Sequence, residues 1–232
     1  MNKSIKIVTN TQFKDLYEIS KSFYQNIPYE RVSVPGENGF YGFMFLDYII
    51  SDEKFSDIDI MVYIDEDCFI IDEKALLELI EYSIINEYDC VGLPDGGVVP
   101  TRKHNPLSIN QFFCILNLKE IRKKYNKDDV ANTVYTEDLN RITPFNLIKH
   151  EYAYDDFEPY YKLFFWMLKL GFKFLYLDGR SYEDDLTTTI LKNHNNIEFA
   201  YHTWYSRLWK NKFHHERITK IIDHCRKNIK EL

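Results

Sequence analysis

The chain has 232 residues, of which 45% are apolar and 16% aromatic; this is enough to bury a full α/β core and too apolar for a disordered protein. A net charge of −7 argues against a general nucleic-acid binder. Cys68, Cys90, Cys114 and Cys225 stand far apart with no C-x-x-C pair, which argues against a zinc site or a disulfide framework and for a reducing cytoplasm.

The opening MNKSIKIVTNTQF lacks the apolar stretch of a signal peptide, and SIKIVTNT within it reads as a strand ending near Thr9. TQFKDLYEISKSFYQNI follows as an amphipathic helix, with Phe13, Leu16, Ile19 and Phe23 three to four residues apart. YERVSV alternates like a second strand, PGENG punctuates a loop, and FYGFMFLDYII reads as a buried helix. The glycines of GENGFYG are three apart and do not form the G-x-G-x-x-G dinucleotide fingerprint. DIDIMVYID is the next strand, EKALLELIEYSIINEY a helix, and DCVGLP a short buried strand cut by PDGG. Such alternation over the first ~95 residues predicts βαβ units on a parallel sheet, with ligands bound beyond the carboxyl ends of the strands.

In the second half, INQFFCILNL (109–118) reads as a strand and 119–150 as a polar, irregular connection. EPYYKLFFWMLKL reads as a helix with Pro159 in its first turn. The apolar stretch at 163–177 carries two lysines and a glycine and is too short to span a bilayer, so it reads as a core helix running into a core strand. FKFLYL and IEFAYH read as strands and 203–231 as a closing helix. Residues 203–232 hold eight Lys/Arg against three Asp/Glu, a local charge of +5 that leaves −12 for the rest. That segment reads as a solvated helix face, or as a tail contacting phosphate or a membrane surface. No repeat or linker divides the chain, which predicts one domain over 1–232.

The apolar IMVYI runs into Asp65-Glu66-Asp67, three adjacent carboxylates that repel one another. Strand alternation puts Asp65 and Asp67 on one side and Glu66 on the other. Two carboxylates converging at a sheet rim suit a hard divalent cation, which would cancel their repulsion. A solvated acidic turn is the alternative reading.

The order of a Gly/Asn loop, a helix and an apolar strand ending in D-x-D, in GENGFYGFMFLDYIISDEKFSDIDIMVYIDEDCFI, resembles the nucleotide-binding half of GT-A glycosyltransferases. The resemblance covers about residues 1–118, and the remainder more loosely. It implies an α/β fold with an open, mostly parallel mixed sheet flanked by helices. Residues 1–118 would form the nucleotide-sugar-binding half, and 119–232 the acceptor half with a basic C-terminal helix. The activity implied is transfer of a sugar from a UDP- or GDP-type donor to a glycan or lipid-linked acceptor, with Mn²⁺ or Mg²⁺, building a surface or secreted glycan in a bacterium. By the same resemblance Asp65, Asp67 and His202 are the metal ligands, with Asp65 also near the ribose. Thr9 lies against the nucleotide, Asn110 helps bind the sugar, and Arg207 or Lys210 meets the diphosphate. Glu158 and Asp156, in an acidic segment that leads into a helix ending in Gly and a strand, are the candidates for the base that inverting transfer needs. The setting implied is the cytoplasm, at the inner face of the membrane if the acceptor is lipid-linked.

D-x-D at a strand end also fits a haloacid-dehalogenase-like phosphatase, with Asp65 as nucleophile and YEDDLT (182–187) as a later acidic motif. Phe69 and the strand and helix preceding the motif count against it. A non-catalytic nucleotide-sugar binder is the third reading.

Overall fold

The computed structural model describes residues 3–36 and 40–230; Glu37, Asn38 and Gly39, the greater part of the Gly/Asn loop read above, lie outside the described residues. The chain runs β1 (Ile5–Thr11), α1 (Lys14–Lys21), β2 (Glu30–Pro35), α2 (Phe43–Ser51), β3 (Ile60–Ile64), β4 (Cys68–Ile70), α3 (Glu73–Ile85) and β5 (Cys90–Pro94). It continues through β6 (Ile109–Asn117), α4 (Leu118–Lys124), α5 (Lys127–Asn132), α6 (Tyr161–Lys169), β7 (Phe174–Tyr176), β8 (Gly179–Tyr182), β9 (Asp185–Lys192), β10 (Glu198–His202) and α7 (Lys212–Asn228).

Six strands form one open sheet in the order β2-β1-β3-β6-β5-β7. Only β6 runs against its neighbours; the pairs β1–β2, β1–β3 and β5–β7 are parallel. This is the mostly parallel mixed sheet flanked by helices that the resemblance implies; the strand–helix alternation alone predicts a parallel sheet, and β6 is the exception. Its central strand β3, IMVYI, is buried at every residue because both faces are covered. Ile60, Val62 and Ile64 of β3 join the core formed with α1 and α3. Met61 and Tyr63 join the opposite core, with Phe45 and Ile49 of α2 and Phe164 and Phe165 of α6.

A second, antiparallel sheet has the order β4-β10-β9-β8. The sequence reading contains neither β4 nor the β8–β9 hairpin. β4 is only three residues long and follows the carboxylates at once. β8 and β9 hold Arg180, Ser181, Asp185 and Thr187–Thr189, two of them (Thr188 and Thr189) buried, so the apolar run that marks β3 is missing.

Residues 119–150, expected to be irregular, hold α4, α5 and a 3-10 turn at Glu137–Ile142. Both helices are short but capped: Asn117 accepts from Glu120 N, and Asn126 from Asp128 N and Asp129 N. Pro159 stands before α6 and not in its first turn, since that helix begins at Tyr161.

Arg122 of α4 fastens the other side of the sheet. Its guanidinium donates to the carbonyls of Ile49 (3.0 Å), Ile50 (3.0 Å), Phe55 (2.9 Å) and Ile58 (2.6 Å), closing the end of α2 and the turn into β3. Arg122→Met keeps much of the volume but none of these donors. It is expected to cost about 2 kcal/mol, read as a lower urea midpoint with an unchanged slope.

Candidate functional site

The three carboxylates lie where the chain passes from one sheet to the other. β3 ends at Ile64, Asp65 N donates to Phe112 O of β6 (2.9 Å), and Cys68 N donates to Asp65 O (3.0 Å) to close the turn into β4. β10 pairs antiparallel with β4 and sets His202 opposite Cys68. That register brings a residue more than 130 positions away to the acidic turn. His202 Nε2 lies 3.2 Å from Asp67 Oδ1. Thr203 ties the same aspartate twice, from N to Asp67 O (3.1 Å) and from Oγ1 to Asp67 Oδ2 (3.1 Å). Asp65, Asp67 and His202 each offer a ligand atom, all within 4.8 Å of one another.

Residues 65–67 form a turn beyond β3, so strand alternation does not apply to them; Glu66 also lines the cleft, but its carboxylate is held at α1. Its Oε2 accepts from Gln12 N (2.9 Å) and Phe13 N (2.8 Å) at the start of α1, where the helix leaves free N–H groups. Burial pushes its carboxyl up to about 7, with those two amides pulling the other way. Asp65 is held well above the ordinary carboxylate range, first by burial and then by repulsion from Asp67 and Glu66.

The donor set fits a divalent cation. Two carboxylates and an imidazole suit Mn²⁺ or Mg²⁺ completed by water or phosphate oxygens. Asp67 Oδ1 and His202 Nδ1 are both buried without a hydrogen-bond partner. The imidazole is oriented by stacking: Phe112 lies parallel to it (4.2 Å between centroids, 7°), and Trp204 lies tilted at 4.5 Å.

The cluster opens into a cleft of about 640 Å³. A second part of the lining, with Arg102, Asn110, Glu158 and Tyr160, is built around Asp95, which is fully buried just beyond β5. Arg102 grips it with two parallel bonds, Nε to Oδ1 (2.7 Å) and Nη2 to Oδ2 (2.6 Å). Asn110 Nδ2 and the hydroxyls of Tyr160 and Tyr161 also donate to the same carboxylate. The loop can return on itself because Gly97 has φ +81° and because Gly96, where any side chain would collide with the His104 carbonyl, has none. Arg102 Nη2 then reaches Glu158 Oε1 at 3.4 Å, and its guanidinium lies 5.2 Å from the Trp204 ring centroid. Sequence reasoning missed Asp95 and Arg102. The available signal was an acid directly after a buried strand, on the ligand rim, followed by paired glycines.

The other predicted residues divide. Asn110, Glu158 and Arg207 line the cleft. Asn110 is tied on both sides, since its Nδ2 holds Asp95 and its Oδ1 accepts from Phe112 N (3.3 Å). Thr9 is not a strand end, because β1 runs on to Thr11; its buried hydroxyl donates to Ile64 O at 2.8 Å, bracing β3. Lys210 points to α1, where its Nζ pairs with Asp15 at 2.9 Å. Asp156 is exposed and outside the cleft lining. The 182–187 stretch is the β8–β9 turn, where Asp185 pairs with Arg217 at 2.5 Å, so it adds no acid to the cluster.

No protein-family model matches the sequence, and no curated protein does. Among solved structures, the chain is similar to A197 from STIV at 15% identity, covering 66% of this chain and 82% of that one, with a TM-score of 0.38. It is also similar to a glycosyltransferase involved in the glycosylation of the major capsid of PBCV-1, at 15% identity over 66% of this chain and 81% of that one, with a TM-score of 0.36. Likenesses of this size carry no activity across; the chemistry of the cleft has to speak for itself.

Proposed function

We propose that the protein is a metal-dependent glycosyltransferase that moves a sugar from a UDP- or GDP-type donor to a glycan or lipid-linked acceptor. One observation carries the reading: Asp65, Asp67 and His202 converge in a cleft beyond the carboxyl end of β3, where open α/β sheets bind their ligands. A Mn²⁺ or Mg²⁺ ion held there would offset the charge of a diphosphate and favour its departure as leaving group.

The chain's own residues fill the remaining roles. Asp67 and His202 hold the ion, and Asp65, half-buried at the cleft edge, serves the ion or the ribose. Arg207, exposed and part of the cleft lining, would meet the diphosphate. Glu158, on the Arg102 side, is the carboxylate available to take the acceptor's proton if the transfer inverts. Asn110 would reach the sugar only through what Asp95 leaves free, so its main work is to shape that part of the lining. The site draws on both sequence halves, since 1–118 supplies the aspartates and 119–232 supplies His202 and Glu158.

No described helix is long and apolar enough to cross a membrane. For a lipid-linked acceptor, the basic segment from Arg207 to Lys230 would provide peripheral contact at the inner face of the membrane. Binding to anionic vesicles should then fall as salt rises, and equal binding to neutral vesicles would refute that contact.

Calorimetry with UDP and GDP, with and without Mn²⁺, tests the main reading, followed by nucleotide-sugar turnover against acceptor mixtures. Metal-dependent nucleotide binding with turnover is expected. Binding without turnover would leave a non-catalytic binder. Hydrolysis of p-nitrophenyl phosphate without nucleotide binding would replace the proposal with a phosphatase.

A further inference from the structure

His202 is the last residue of β10, and the chain leaves it through an unusual turn. Trp204 and Tyr205 both have positive φ, +59° and +65°. Residues with bulky side chains avoid this conformation, and two in succession persist only where their surroundings hold them.

The holding group is Arg217, in the second turn of α7. Its Nη2 donates to Thr203 O (2.5 Å) and Trp204 O (2.8 Å). Its Nη1 donates to Asp185 Oδ2 (2.5 Å) and reaches Thr188 Oγ1 (3.4 Å). Asp185 also takes the Thr188 hydroxyl (2.8 Å), and Trp204 Nε1 donates to Thr189 Oγ1 (2.9 Å). Arg217 and Asp185 are nearly buried, at 13% and 15% exposure, so this is an enclosed clamp and not a surface ion pair.

What the clamp fixes matters to the site. His202 Nδ1 has no hydrogen bond, so packing against rings orients the imidazole: Phe112 stacks on it and Trp204 lies tilted against it. Beyond the turn, Tyr205, Ser206 and Arg207 line the cleft.

We propose that Arg217 is a positioning residue: paired with Asp185, it holds the Thr203–Trp204 carbonyls so that His202 stays on Asp67 and Arg207 stays over the cleft. The C-terminal helix thereby sets the cation affinity of a site to which it contributes no ligand. This rests on the metal reading given above.

The test is calorimetric titration of the full chain with Mn²⁺ alone, well below the melting temperature, using wild type, R217M, R217K and D185N. R217M should bind Mn²⁺ at least about 10-fold more weakly while circular dichroism stays native, as expected when a group that orients a ligand is lost. R217K keeps the charge and can hold one carbonyl, so it should recover part of the affinity. D185N should fall between wild type and R217M. In metal-free protein, the His202 imidazole resonances should move in R217M, which a merely stabilising arginine would not cause. Wild-type affinity in folded R217M overturns the inference and leaves the metal site standing. If R217M fails to fold, unchanged affinity in both R217K and D185N overturns it equally. Wild type that does not bind Mn²⁺ removes the metal reading, and the inference with it.

Discussion

Asp67→Asn is expected to weaken Mn²⁺ binding by more than about 100-fold and to abolish metal-dependent nucleotide binding. Losing a group that merely orients a ligand typically costs 10- to 100-fold, and a ligand itself should exceed that. Asp67 is the member of the cluster most firmly placed, fixed by Thr203 through both its carbonyl and its carboxylate, with its other oxygen turned to His202. The metal-free protein should respond in the opposite direction. Asp65, Glu66 and Asp67 repel one another, and Asn can still accept the Thr203 hydroxyl, so the variant should be as stable as wild type or about 1 kcal/mol more so. Thermal melts in EDTA read that sign, while calorimetry reads the loss of affinity. A variant that is destabilised yet still binds Mn²⁺ would make Asp67 a structural carboxylate.

Arg102→Met should cost stability on a scale that Asp67→Asn does not. Asp95 is fully buried, and removing its bidentate partner leaves a charge with no cation beside it. Breaking a buried pair from one side costs about 3–5 kcal/mol, and the lower end applies because Asn110, Tyr160 and Tyr161 still donate to Asp95. Urea unfolding measures the loss, and Asp95→Asn in the same background should restore part of it. Any activity should fall further than the loss of folded protein explains, since Arg102 also holds Glu158 and lies against Trp204.

How much of this was legible depends on where the physics is local. IMVYI announced a strand buried on both faces, and the three carboxylates after it were an electrostatic oddity visible without any structure. Asp67 and His202 met as the resemblance implied, because β10 pairs with β4 in the register that sets His202 opposite Cys68. β4 itself was invisible, since three apolar residues carry no period. Thr187, Thr188 and Thr189 are good strand formers, but the acids of YEDDLT beside them break any apolar period, so the β8–β9 hairpin has no local signature. Thr9 and Lys210 were sensible by type and position, yet Ile64 O and Asp15 claim them through contacts that no spacing rule reveals. Asp95 and Arg102 meet through a glycine-dependent loop, and Arg217 reaches back across two elements. The first pair is only seven residues apart and the second is tertiary, and pairings set by loop geometry or by packing between elements are where a single sequence is silent.

The central claim is that Asp67 and His202 hold one cation on the sheet rim beside a nucleotide diphosphate. Anomalous scattering at the manganese edge, from crystals soaked with Mn²⁺ and UDP, tests it directly. The predicted result is a single peak within about 2.0–2.4 Å of an Asp67 oxygen and His202 Nε2, with diphosphate oxygens completing the shell. A peak elsewhere, or UDP bound in the cleft with no metal between Asp67 and His202, would contradict it.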